Sequence, residues 1–247
     1  MGSQRSKTYN RNMRKPLLKI DNAAKCTIVK RLNKFVAEVI VKGKKAKAYV
    51  NNTGRLIEYL GEGKPAFCIT IQNPKKTSYR LFAVKDGNLG AIIDTQLQMR
   101  AFERAVEFGF IPWLRGCRII RRNARLGESL VDYLLGCNSK SLYLEIKSAV
   151  LREGHYAMYP DCPSLRGRRH VSELTTHVRK GGNGAIVFIA AMPKVRAFRP
   201  YRSGDPRMHE LLLKAHEAGV AIKSVSMYYD PKDSQVYLND PDLTVAL

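Results

Sequence analysis

The chain has 247 residues, 45% of them hydrophobic, and its 43 Lys and Arg against 21 Asp and Glu give a formal net charge of +22. That apolar share supports one large domain or two small ones, yet no apolar run approaches the roughly 20 residues that span a bilayer. The basic, polar start MGSQRSKTYNRNMRKPLLK lacks the apolar stretch of a secretory signal, and the five scattered cysteines (Cys26, Cys68, Cys117, Cys137, Cys162) form no C-x-x-C pair, which argues against a disulfide framework or a zinc ribbon.

The expectation is therefore a cytoplasmic protein with reduced thiols and no membrane partner. An excess of positive charge this large attracts polyanions, nucleic acid first among them.

Residues 1–24 read as a basic flexible arm; residues 1–50 together hold 14 basic and 2 acidic residues. From 25 to 93 the text is strand-like, with KCTIVKRL, FVAEVIV, KAKAYV, FCITIQ and SYRLFAV separated by Gly, Asn and Pro. Short strands at close spacing without a long helix predict a small barrel, and an OB-like one fits the length and charge. Tyr49, Tyr79 and Phe82 alternate there with basic residues, as base-stacking aromatics on such barrels do, although core packing explains any single one as well. NNTGR (51–55) is a turn that offers Arg55 as an anion contact.

At residue 94 the period changes, and a second domain is expected over 94–247. TQLQMRAFERAVEFG predicts a helix that Asp94 or Thr95 caps and Gly109 ends. Residues 111–127 then carry five arginines and no acid; Arg121 and Arg122 are candidate nucleic-acid contacts. After a hairpin come a helix over 168–180, the fully apolar strand GAIVFIAAM, a helix capped by Asp205 with Pro206 at its first position, and the strand VAIKSVSMYY. The predicted order is α-β-β-β-α-β-α-β, a mixed sheet flanked by helices. His170 and Glu173 are three apart on one helix face, and Arg166, Arg168 and Arg169 precede that helix, near an end that favours anions.

The hairpin, VDYLLGCNSKSLYLEIKS (131–148), holds the chemistry. A turn at CNSK pairs Gly136 with Ser141 and so sets Asp132 opposite Glu145, with Lys147 on the same face. Two carboxylates about 5 Å apart repel by roughly 3 kcal/mol at an effective dielectric of 20. Lys147 could neutralise them as a buried cluster, or a divalent cation could.

Asp…Glu-x-Lys on a hairpin within this element order resembles the PD-(D/E)XK nuclease superfamily. NKFVAEV, NNTGR, NPKKTSY, GESLVDYLL, YLEIKS, YPDCPSLRGRRHVSEL and GVAIKSV together resemble the SfsA (sugar fermentation stimulation) family, regarded as DNA-binding or nuclease-like. The resemblance implies an α+β chain in which an OB-like barrel precedes a restriction-endonuclease-like α/β domain. It implies Mg²⁺ or Mn²⁺ held by Asp132, Glu145 and the Ile146 carbonyl, Lys147 as catalytic lysine, and nucleic acid, DNA before RNA, met by Arg166, His170 and Glu173; Arg55, Arg121 and Arg122 are candidate contacts on charge alone. Asp161 falls on the same family block as Arg166. Two positions depart from the pattern: Leu130 stands where relatives carry an arginine, and Arg121 where they often carry a glutamate. A non-catalytic DNA-binding regulator linked to sugar metabolism is therefore the alternative. A dimer is the expected assembly.

Overall fold

The computed structural model describes residues 14–74, 76–138 and 140–247. Strands β1 (Lys15–Lys19), β2 (Ala23–Asn33), β3 (Val36–Val41), β4 (Lys44–Val50), β5 (Pro65–Thr70), β6 (Tyr79–Asp86) and β7 (Leu89–Ile92) come first. Alternation such as VAEVIV in β3 buries one face against the barrel interior. Antiparallel pairs β4–β3–β2–β5–β6, closed by a parallel β4–β6 pair, form the expected five-stranded OB barrel.

Helix α1 (Thr95–Glu107) follows, capped by Asp94, whose carboxylate accepts the Leu97 amide at 2.9 Å. Asp94 is buried and also pairs with Arg80 of β6, so the cap ties the helix to the barrel. Then come β8 (Cys117–Leu126), β9 (Ser129–Cys137), β10 (Lys140–Ser148), β11 (Leu151–Glu153), β12 (Tyr156–Tyr159), α2 (Leu165–Arg179), β13 (Gly184–Ala190), β14 (Ala197–Pro200), α3 (Pro206–Glu217), β15 (Ala221–Asp230), β16 (Gln235–Asp240) and β17 (Thr244–Val245). The central sheet runs β7–β15–β13–β10–β9–β8, with β13 parallel to both neighbours. Every residue of β13 is buried, as an inner parallel strand requires. The chain is thus α+β: an OB barrel followed by a restriction-endonuclease-like domain with a mixed sheet and few helices.

The barrel is seated on that sheet by aromatic rings. Tyr229 of β15 meets Phe82 edge-on at 4.9 Å and Phe67 at 5.1 Å. Gly90 lies opposite Tyr229, and a Cβ there would come within 3.1 Å of its ring. No described helix is long and apolar enough to cross a membrane.

Four expectations need correction. Residues 1–13 lie outside the described part, but Lys15–Lys19 is no arm: it pairs antiparallel with β16, with Lys15 opposite Leu238. The predicted element order omits β16 and the small sheet β11–β12–β14–β17, whose strands are mostly too short to show a period. Helix α2 starts at Leu165 with Ser164 as its cap, so Arg166, Arg168 and Arg169 lie within its first turns. Finally, the thiols are not all reduced. The β8–β9 register sets Cys117 against Cys137, their Cα atoms 4.1 Å apart, and they form a disulfide.

Candidate active site

Strands β9 and β10 pair in the register that the turn placement predicts, Ser141 opposite Gly136 and Leu144 opposite Tyr133. The backbone ladder ends there; the same register carried one step on would set Asp132 across from Glu145 on one face. There the Asp132 side chain takes over from the backbone, its Oδ2 accepting the Ile146 amide at 2.7 Å.

Glu145 is 3% exposed. Its Oε1 accepts from Lys147 Nζ at 2.5 Å and from His170 Nδ1 at 2.7 Å. Its Oε2 is buried with no partner. His170, itself buried, comes from α2, which packs against β13 and β9; one turn before it, Arg166 Nε reaches His170 Nε2 at 3.4 Å. The two contacts fix the tautomer, with the proton on Nδ1 facing Glu145.

The electrostatics follow from burial and pairing. Desolvation, then the Glu145 charge, push the Asp132 carboxyl up to about 6. Burial also works against ionised Glu145, but Lys147 and then His170 outweigh it and hold its carboxyl below the ordinary value. Lys147 is likewise penalised by burial, yet Glu145 keeps its ammonium above the usual lysine range. At neutral pH the face therefore presents two carboxylates and a charged lysine.

These groups line a crevice of about 270 Å³ with Arg166, Gly167, Tyr159, Thr95 and Thr53. Lys147, Ser148 and Tyr159 also line a second chamber of about 220 Å³ that reaches Phe35 and Asn51–Gly54 of the barrel. The barrel thus forms one wall of the candidate site. Asp161 holds that wall: its Oδ2 accepts the Leu56 amide at 3.0 Å, and a Cβ on Gly54 would come within 2.8 Å of the same oxygen.

The other predicted residues divide. Arg166 is exposed at the crevice rim. Arg121 and Arg125 are exposed on the face of the β8–β9 ribbon that carries Asp132, opposite Leu134 and Leu130, but do not line the crevice. Arg122 points to the other face and is forked onto Glu103 of α1 at 2.7 and 2.9 Å, so its guanidinium is already engaged. Arg168 is similarly taken by Asp205. Arg55 is exposed in a neighbouring hollow beside Tyr201. Glu173 does not reach the crevice; its carboxylate accepts the Ser129 amide at 3.0 Å and braces the β8–β9 turn. Leu130 is 52% exposed and Glu128 lies in that turn. Of the proposed stacking aromatics, Phe82 is buried in the core and Tyr49 and Tyr79 are half-buried.

Two residues escaped the sequence reading. Arg31 donates to the carbonyls of Asn33 and Lys34 on one turn and of Gly54 and Arg55 on another. Phe35, between these turns, is 47% exposed at the second chamber. An unusually placed aromatic in a polar turn, NKF, was the available signal for the latter; nothing local marks Arg31 among so many basic residues.

Comparison with known proteins agrees with this architecture. The model of the SfsA N-terminal OB domain matches residues 29–93, and that of the sugar fermentation stimulation protein RE domain matches 96–233. Sugar fermentation stimulation protein homologues of Pyrococcus furiosus and Archaeoglobus fulgidus are each 45% identical, covering 90% and 94% of this chain and 96% and 99% of theirs. A solved structure of Pyrococcus furiosus SfsA in complex with Ca²⁺ superposes with a TM-score of 0.91 at 42% identity, over 94% of this chain and 100% of that one.

Proposed function

Because the chain belongs to the sugar fermentation stimulation protein (SfsA) family, we propose that its crevice hydrolyses phosphodiester bonds of nucleic acid with the help of a divalent cation. The observation that carries this reading is the unpartnered Oε2 of Glu145, a buried carboxylate oxygen with no protein donor, on the same face as Asp132. Leaving such an oxygen unsatisfied is costly, and a hard cation is the ligand that two carboxylates and a nearby carbonyl suit. The SfsA of Pyrococcus furiosus, similar along nearly its whole length, has been solved with Ca²⁺.

Mg²⁺ or Mn²⁺ held by Asp132, Glu145 and the Ile146 carbonyl would supply Lewis-acid polarisation of the phosphate and of a water. The chain's own residues supply the rest. Lys147 stays an ammonium and faces the charge that grows on the phosphoryl oxygens, so its role is electrostatic, not that of a base. His170 positions Glu145, and Arg166 offers its outer nitrogens to a neighbouring phosphate. The overall charge of +22 draws the polyanion to the cleft.

The test is cleavage of labelled DNA and RNA across an Mg²⁺ and Mn²⁺ titration, with Asp132→Asn alongside. Loss of cleavage in the variant is expected; wild-type rates in it would remove the acid pair from the mechanism. Salt-sensitive binding without cleavage in either ion would leave a binding protein of regulatory type.

A further inference from the structure

We propose that the crevice admits one unpaired strand and that Phe35 is the platform on which a base of that strand stacks, making single-stranded nucleic acid, or a melted stretch of duplex, the substrate class. The proposal rests on the phosphodiesterase reading above and adds what kind of strand can reach the site.

Depth is the first argument. The groups that must meet a phosphate sit at the floor: Glu145 is 3% exposed and the Lys147 side chain 10%. The two chambers that Lys147 lines hold about 270 and 220 Å³, room for parts of a nucleotide. A double helix is a stiff rod much wider than that, and enzymes that work in such pockets take a nucleotide out of the stack to reach it. A flexible single strand can lower its backbone to the floor directly.

The second argument is what lines the outer chamber. Phe35 is 47% exposed there, and no aromatic ring among the described residues stacks on it. The other strongly exposed phenylalanine, Phe108, is packed against Phe110 and under Arg104. A base is the flat apolar partner that a nucleic acid would bring.

Rigidity is the third. The Phe35 amide donates to Asn33 Oδ1 at 2.9 Å, and its carbonyl accepts from the Val50 amide at 2.8 Å. Arg31 joins this turn to the 52–55 loop through Lys34 O and Gly54 O, both at 2.8 Å. The backbone beneath the ring is therefore set before the strand arrives, which limits the ordering that binding must impose. Ser148 lines both chambers, and its hydroxyl is buried with no partner. It is a hydrogen-bonding group left open for the sugar or base edge between phosphate and platform.

The experiment measures fluorescence anisotropy of a fluorescein-labelled single-stranded oligonucleotide and of the same strand in duplex, in EDTA, with wild type, Phe35→Ala and Phe35→Trp. Wild type is expected to prefer the single strand. Phe35→Ala should weaken single-strand binding roughly ten-fold and leave duplex binding within two-fold, while Phe35→Trp should keep wild-type affinity. Equal weakening of both substrates, or of neither, overturns the proposal. If duplex is cleaved as well as single strand and Phe35→Ala is silent, this inference falls and the phosphodiesterase reading stands. If wild type neither binds nor cleaves either form, both fall.

Discussion

His170 Nδ1 donates to the same Glu145 oxygen that Lys147 holds, at 2.7 Å, and leaves the other oxygen of that carboxylate unclaimed. One oxygen is thus held by internal partners and the other, buried, has none. Replacing His170 by Ala removes a donor that orients the carboxylate. Divalent-ion affinity should fall about 10- to 100-fold, as loss of such outer partners does, and isothermal titration with Ca²⁺ reads it; unchanged affinity would show that Lys147 alone suffices.

Asp132 titrates in a useful range. Its carboxyl is pushed up to about 6 from an ordinary 3.8, by burial first and Glu145 second. A raised carboxyl costs the fold nothing below the unfolded value; the cost grows as pH rises through 3.8 and is complete above about 6. In EDTA, Asp132→Asn should therefore melt higher than wild type at pH 7.5, by at most ~3 kcal/mol, and level with it at pH 4. Calorimetry at the two pH values decides. In wild type, protons compete with the cation for the same carboxylate, so ion affinity should drop as pH falls through 6.

Lys147→Met deletes the ammonium beside Glu145. If the lysine acts on developing charge, hydrolysis should fall about 10²- to 10³-fold while oligonucleotide binding changes little. Single-turnover rates and anisotropy on the same preparation separate the two effects; parallel loss of both would make Lys147 a binding residue instead.

The Cys117–Cys137 bridge closes a 20-residue separation. Reduction should lower unfolding stability by ~3 kcal/mol, read from urea melts with and without reductant. Cys117→Ser should show the lower stability in both conditions.

Much of this architecture could be read from the residues because its determinants are local. A four-residue turn was enough to fix the β9–β10 register, since side chains alternate strictly along a strand. Asp94 and Asp205 cap helices for reasons visible three residues on. What escaped depends on segments far apart in sequence. Glu173 looked like a site residue from its helix face but is spent on the Ser129 amide 44 positions away. Arg122 was one arginine among five until Glu103 of α1 claimed it. The disulfide required a register shift at Ile119/Arg121 of β8, which composition cannot supply. Phe35 stands in a polar turn, but only the fold shows that no other element covers it.

The pairing of β1 with β16 ties residues more than 200 positions apart into one ladder. Among the described residues the N-terminal-most strand, β1, has β16 as its partner, and the whole OB barrel lies between them in the chain. Because β1 is held by a strand from the far end of the second domain, removing the segment that carries β16 would leave Lys15–Lys19 without its ladder partner.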